Sequence, residues 1–304
     1  MTERVAAIDC GTNSIRLLVA DRAGDQLTDL VRTMEIVRLG EGVDRTGMLA
    51  PQAIERTRKA LTGYAARIRE LGAARVRMVA TSASRDAGNA AEFRAMVLDV
   101  LGAPPEVITG DEEAALSFAG AVAGLPTDLD PPYLVVDIGG GSTEFVVGTG
   151  TAEAAISVDI GCVRMTERYL HSDPPTGAEI AAAREHVTEV VDGALAAVSA
   201  RRARTLIGLA GTVTTIAGIA LDLPGYDSTR IHHARIDRAQ VDRIGTELLA
   251  QTRAQRRSIP VMHPGRADVI GAGALILRTV LERAGCDGLV ASEHDILDGI
   301  ALSV

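Results

Sequence analysis

At 304 residues, 47% hydrophobic and 23% charged, the chain is long enough for two domains with their own cores and too apolar for intrinsic disorder. Aromatic residues make up only 2%, with no tryptophan, so the cores fall to Ala, Val, Ile and Leu, and the stacking platforms of single-stranded nucleic acid binders are disfavoured. A net charge of −9 argues against nonspecific binding to nucleic acid, and Lys59 as the only lysine rules out a Walker-type P-loop, leaving anion recognition to arginine forks, backbone N–H groups or a metal.

The chain opens with a predicted strand over 5–8, a Gly-containing turn Asp9-Cys10-Gly11-Thr12-Asn13-Ser14 and a returning strand over 15–20. An extended stretch over 31–39 follows. Pro51 then starts a helix over 51–71 with apolar positions at Ile54, Leu61, Ala65 and Ile68, and Gly72 stops it. A strand over 76–80, a helix over 87–101, a short strand over 106–108 and a helix over 112–122, opened by Gly110-Asp111, complete an alternation that reads as α/β. The run 124–132, with three prolines, marks the boundary between a first lobe over 1–126 and a second over 127–304.

The second half begins as the first did, with a strand over 133–136, a turn Asp137-Ile138-Gly139-Gly140-Gly141-Ser142-Thr143 and a strand over 144–147. An offset of 128 lays Asp9 on Asp137, Gly11 on Gly139, Ser14 on Ser142 and Val19 on Val147, so an internal repeat is expected. A strand over 155–158, helices over 163–169 and 179–199, and a strand over 205–209 follow. Ala210-Gly211-Thr212-Val213-Thr214-Thr215 reads as a Gly-Thr turn feeding a helix, where free N–H groups can face an anion. Helices over 238–249 and 266–284, a strand over 288–291 and a last helix over 296–302, able to return to the first lobe, end the chain.

One Asp-x-Gly turn alone reads as an ordinary hairpin; two of them, each with hydroxyls, point to phosphate. Glycine lets backbone approach phosphoryl oxygens, hydroxyl and N–H groups donate to them, and Asp9 and Asp137, approaching one cleft from opposite walls, can hold Mg²⁺. Glu112 and Glu113 open a helix, where acids are favourable locally, and one of them can deprotonate a water. Arg85, after the strand over 76–80, can clamp phosphate. Cys10, Cys162 and Cys286 are odd in number and unpaired in spacing, hence reduced core residues; His232-His233 and His263 lie outside any zinc pattern, the adjacent pair facing apart on an extended chain. Ser142 lacks the Gly-x-Ser-x-Gly elbow and reads as a ligand-contacting hydroxyl. With no signal peptide and no apolar run of 18 residues, the expected location is the cytoplasm.

Asp9-Cys10-Gly11-Thr12-Asn13-Ser14-Ile15-Arg16, Ile108-Thr109-Gly110-Asp111-Glu112-Glu113-Ala114 and Val136-Asp137-Ile138-Gly139-Gly140-Gly141-Ser142-Thr143-Glu144 resemble three motifs of the exopolyphosphatase and guanosine pentaphosphate phosphohydrolase (Ppx/GppA) family. Gly161-Cys162-Val163-Arg164, Leu209-Ala210-Gly211-Thr212-Val213-Thr214 and Arg266-Ala267-Asp268-Val269-Ile270 extend the likeness across the chain in the family's order. The resemblance implies two ribonuclease-H-like lobes of the actin-like superfamily with an interlobe active site, Mg²⁺ or Mn²⁺, and water-driven removal of a terminal phosphate. It assigns Glu113 as general base, Asp9 and Asp137 to the metal, and Arg85, the two turns (Gly11, Thr12, Asn13, Ser14; Gly139, Gly140, Gly141, Ser142, Thr143) and Gly211 with Thr212 to phosphate. Glu144, Arg16 and Arg164 take supporting places.

Longer members continue into a helical domain rich in histidine and aspartate, so a preference for shorter chains is expected here. The resulting expectation is a dimeric exopolyphosphatase acting on inorganic polyphosphate. The alternatives are pppGpp 5′-phosphohydrolysis, and, more remotely, an actin-like or Hsp70-like nucleotide-dependent binding protein or a sugar kinase; neither nucleic acid nor membrane is an expected partner.

Overall fold

Over residues 2–304, which the computed structural model describes, the strands assemble into two mixed sheets of one plan. The first contains β1 (Glu3–Cys10), β2 (Ser14–Ala23), β3 (Gln26–Ile36), β4 (Arg75–Ala80) and β5 (Glu106–Val107), in the order β3-β2-β1-β4-β5. The second contains β6 (Tyr133–Ile138), β7 (Thr143–Gly148), β8 (Ala152–Val158), β9 (Thr205–Leu209), β10 (Arg235–Asp237) and β11 (Gly288–Ala291), in the order β10-β11-β9-β6-β7-β8. In each, an antiparallel three-stranded meander is followed by parallel crossover strands, the ribonuclease-H-like plan, and β10 adds an antiparallel edge to the second. The repeat expected from the 128-residue offset is therefore a repeat of topology, with Asp9 on β1 and Asp137 on β6.

The chain separates into two units, Met1–Ala123 with Asp295–Val304, and Gly124–His294. The division falls after Ala123, and the last helix, Ile296–Ser303, lies in the first unit. Strand alternation explains why. On β1, Ala6, Ile8 and Cys10 face a core with Leu61, Phe93 and Val97, whereas Val5 and Ala7 face the opposite side, where Ile296, Leu297 and Ile300 cover them. β1 is apolar on both faces, so both need covering, and the helix Ile296–Ser303 supplies the second cover.

The helix Pro51–Leu71 has the predicted bounds, with Pro51 in its first turn, Gly72 closing it at φ 70°, and Ala53, Thr57, Ala60, Leu61, Tyr64 and Ile68 buried as one stripe. Other elements differ from expectation. The helix expected over 87–101 spans Ala90–Leu101, and a short helix that was not expected, Ser82–Asp86, precedes it across Ala87-Gly88-Asn89. The helix expected from 266 starts at Ile270, after a 3-10 turn at Pro264–Arg266. The Gly-Thr segment is no turn: helix Ala210–Ala220 begins directly at the end of β9.

The helices Gly110–Val122 and Ile296–Ser303 cross backbone to backbone. A Cβ on Gly120 would overlap the Asp295 carbonyl, and one on Gly299 would overlap the Leu116 carbonyl. Gly120→Ala should therefore lower stability by about 1–3 kcal/mol through overpacking, measurable by urea unfolding, despite the better helix propensity of alanine. An unchanged midpoint would show that this crossing can yield.

Candidate active site

In the first unit, strand register sets the site. Asp9 pairs with Val79 and Cys10 with Ala80, which in turn pair with Glu106 and Val107, so β1, β4 and β5 end at one edge of the sheet. Beyond those ends lie the turn 11–13, the helix Ser82–Asp86 with Arg85, and the helix Gly110–Val122 with Glu113, the side on which open α/β sheets bind ligands. Asp9 is not in the turn, as the sequence suggested, but on the strand, opposite Arg16 of β2; Asp137 is likewise on β6, opposite Glu144. Antiparallel pairing continues past both aspartates and shortens each turn.

The Gly11 N–H donates to the Ser14 carbonyl at 2.9 Å, and the carbonyls of Thr12 and Asn13 accept from Gly40, Val37 and Arg38. With its carbonyls tied back, the turn leaves the Thr12 and Asn13 amides without an acceptor among the described residues. The buried Thr12 hydroxyl is shared with Ser82 at 2.9 Å, while its backbone N–H stays open at the turn.

Glu113 is buried, and its carboxylate lies 3.4 Å from Nη1 of Arg85, which also donates to the Ile108 carbonyl at 3.2 Å. Glu112, by contrast, is exposed and paired with Arg77 at 2.9 Å, while its N–H is capped by Thr109. The two adjacent glutamates therefore separate into a surface ion pair and an enclosed carboxylate held beside the candidate phosphate clamp. Asp9 is buried too; Nε and Nη2 of Arg16 both donate to its Oδ2, at 2.9 and 2.7 Å. Burial pushes the Asp9 carboxyl above its ordinary range against the opposing pull of Arg16.

The second unit repeats the turn with a different brace. Gly139 N–H donates to the Ser142 carbonyl at 3.1 Å, while the carbonyls of Gly139 and Gly140 accept from the amides of Cys162, Val163 and Arg164 at the start of helix Cys162–Tyr169. Nε of Arg164 donates to the Gly141 carbonyl at 2.8 Å, so this arginine buttresses the turn. The amides of Gly140, Gly141 and Ser142 have no acceptor among the described residues, a concave set of donors of the kind that binds anions. Thr143 is a correction: it is fully buried and its hydroxyl donates to the Ile160 carbonyl, which removes it from the ligand set.

Asp137 of β6 pairs in register with Leu209 of β9, so helix Ala210–Ala220 starts beside this turn. It starts without a side-chain cap and with Ala210 at φ 64°, a left-handed conformation unusual for alanine, leaving first-turn amides open. The Arg266 guanidinium lies so close against Gly211 that a Cβ there would overlap it, and among the described residues Arg266 has no carboxylate partner. A cation placed at the positive end of a helix is favourable only if an anion joins them. In the sequence Arg266 stands only as the start of a family-like segment; its seat at Gly211 needed the fold. Thr212 is buried and packs on Gly273.

Position 16 of the first unit corresponds to position 144 of the second, and the repeat changes an arginine into a glutamate there. Asp137 and Glu144 are thus two buried carboxylates at facing strand positions, with Glu144 accepting from Ser157 at 2.7 Å. Among the described residues no three or more His, Cys, Asp or Glu side chains converge as a metal cluster. That donor set fits Mg²⁺, which is commonly held by one or two carboxylates with phosphate oxygens and waters completing the shell.

Cys10 and Cys162 are buried and unbridged, burial pushing the Cys162 thiol up to about 11. His232 and His233 do not face apart: their ring centroids are 3.6 Å apart because His233, at φ 63°, turns the chain, and His294 lies 4.3 Å from His232. No helix among the described residues is long and apolar enough to cross a membrane.

Two α/β units of one strand plan, each carrying a buried aspartate and unpartnered turn amides at the same sheet edge, define a duplicated ribonuclease-H-like protein. The chain belongs to the Ppx/GppA phosphatase family, whose profile matches residues 18–303. It is 54% identical to exopolyphosphatase 2 of Mycobacterium tuberculosis over 99% of this chain and 98% of the relative. The crystal structure of an exopolyphosphatase-like protein superposes with a TM-score of 0.97 at 43% identity, covering 99% of this chain and 97% of the other. That of an exopolyphosphatase from Cytophaga hutchinsonii gives 0.90 at 27% identity, over 98% and 96%.

Proposed function

We propose that this protein is an exopolyphosphatase that releases terminal orthophosphate from inorganic polyphosphate by attack of water. The observation that carries the reading is the enclosed Glu113–Arg85 pair, set at the same sheet edge as the open amides of the Asp9 turn. The full-length likeness to proteins named exopolyphosphatases supports the choice of substrate. In this reading Arg85 holds oxygens of the terminal phosphoryl group and the Glu113 carboxylate takes the proton of the attacking water. The amides of Thr12, Asn13, Gly140, Gly141 and Ser142 donate to phosphate oxygens, and Arg266 with the open end of helix Ala210–Ala220 adds positive potential. Asp9 in the first unit, and Asp137 beside Glu144 in the second, are the carboxylates that would be offered to Mg²⁺, which would neutralise phosphate charge when bound. Arg16 and Arg164 brace Asp9 and the second turn respectively.

Orthophosphate release from short and long polyphosphate, pppGpp and ATP, measured in parallel with Mg²⁺ and with excess chelator, tests this. Polyphosphate should be the preferred substrate, activity should vanish with chelator and return with Mg²⁺ or Mn²⁺ but not require zinc. Clear preference for pppGpp would reassign the substrate, and full turnover in chelator would remove the metal from the scheme.

A further inference from the structure

Asp295 is the first residue of the first unit's returning segment, and its side chain does two things at once. Oδ1 accepts from the Leu297 N–H at 3.0 Å and caps the last helix, while Oδ2 accepts from Nη1 of Arg16, the same guanidinium that grips Asp9 through its other two nitrogens. All three groups are enclosed: Asp9 is 5% and Asp295 3% exposed, and the Arg16 side chain 20%.

The charges do not balance. One guanidinium between two carboxylates leaves the set at −1, whereas Arg16 and Asp9 alone would be neutral. Both bonds from Arg16 fall on Oδ2 of Asp9, and no hydrogen bond reaches Oδ1 among the described residues. Burial weakens solvent screening, so the surplus is felt at short range. With Arg16 shared between two enclosed carboxylates, the surplus negative charge beside Asp9 favours an approaching cation.

We propose that Asp295 is a positioning residue for the reaction: by sharing Arg16 it fixes the Asp9 carboxylate with one oxygen open and keeps Arg16 from neutralising it. The proposal rests on the exopolyphosphatase reading for its assay, but not for its binding measurement. Its backbone adds a second link, since the Asp295 carbonyl packs against Gly120 of the helix that carries Glu113.

Asp295→Asn is the informative change. The amide oxygen can still cap Leu297, so the helix keeps its start, but the charge offered to Arg16 is lost. Groups that orient a metal-binding or reacting carboxylate typically cost 10–100-fold when removed. Asp295→Asn should accordingly lower kcat about tenfold or more, raise the Mg²⁺ concentration needed for half-maximal activity, and weaken Mg²⁺-dependent binding of tripolyphosphate in calorimetry, with KM for polyphosphate changed less than kcat.

Arg32→Gln is the control, because Arg32 pairs with Asp298 on the same helix at 2.5 Å and makes no contact with Asp9. It loosens helix docking without touching the Asp9 set, so kcat and tripolyphosphate binding should stay within about twofold of wild type. Equal losses in both variants, tracking equal losses of thermal midpoint, would reduce Asp295 to a helix anchor and overturn the proposal. So would unchanged kcat and unchanged tripolyphosphate binding in Asp295→Asn. If the wild type releases no orthophosphate, the activity reading fails by itself, and the binding comparison still decides the role of Asp295.

Discussion

Glu113→Gln should lower kcat for orthophosphate release by about 10²-fold or more while leaving the thermal midpoint and polyphosphate binding close to wild type. Glutamine keeps the reach and size of the side chain and still presents an oxygen to Arg85, so the 3.4 Å contact need not collapse. What disappears is the group able to take a proton from water, and a positioned general base is worth about 10²–10⁴-fold. Glu112→Gln should change kcat less than about twofold, because its carboxylate is exposed and bound to Arg77. Single-turnover measurements on both variants separate the outcomes. A collapse in E112Q with near-normal E113Q means that the other carboxylate is the base; normal turnover in the double variant would leave metal- or phosphate-assisted attack as the mechanism.

The second large effect belongs to Gly161, far from either glutamate in the sequence. Its φ of −129° is extended backbone that any residue adopts, so the need for glycine is one of contact and not of conformation. A Cβ there would overlap the Gly140–Gly141 peptide. Gly161→Ala must push the turn off the amides of Cys162, Val163 and Arg164 that hold its carbonyls, and so misdirect the open amides of Gly140, Gly141 and Ser142. Displacements of about 1 Å at a positioning element can cost 10²-fold, so kcat/KM should fall by about 10–100-fold, with about 1–3 kcal/mol lost from stability through overpacking. Gly193→Ala, in helix Gly177–Ala197 where a Cβ meets nothing within 4 Å, should leave activity unchanged and raise stability by about 0.5–1 kcal/mol. Unchanged kcat/KM in Gly161→Ala would show that the second turn does not hold substrate.

The separation of Glu113 from Glu112 shows where reading the chain by itself runs out. Family resemblance chose Glu113; the physical reason, burial beside Arg85 rather than exposure beside Arg77, appears only when β4 and β5 lie side by side. The resemblance gave Arg16 and Arg164 supporting places without saying what they support, because a guanidinium's target is invisible in sequence. The fold turned both onto the protein, one onto Asp9 and one onto the Gly141 carbonyl. Thr143 could be read as a ligand hydroxyl until its place on a fully buried strand turned it to Ile160.

By itself the sequence determined the α/β class, the repeat at an offset of 128, the helix from Pro51 to Leu71 and the two glycine-rich turns, because apolar periodicity, caps and turn residues act over a few neighbours. Tertiary structure decided that Asp9 and Asp137 stand on strands, that position 16 binds an aspartate while its counterpart, position 144, faces one, and that the last ten residues join the first unit. The contact between Arg16 and Asp295 spans 279 residues. No local pattern encodes such a pair: it exists because the second face of β1 must be covered, and the helix that covers it brings Asp295 with it.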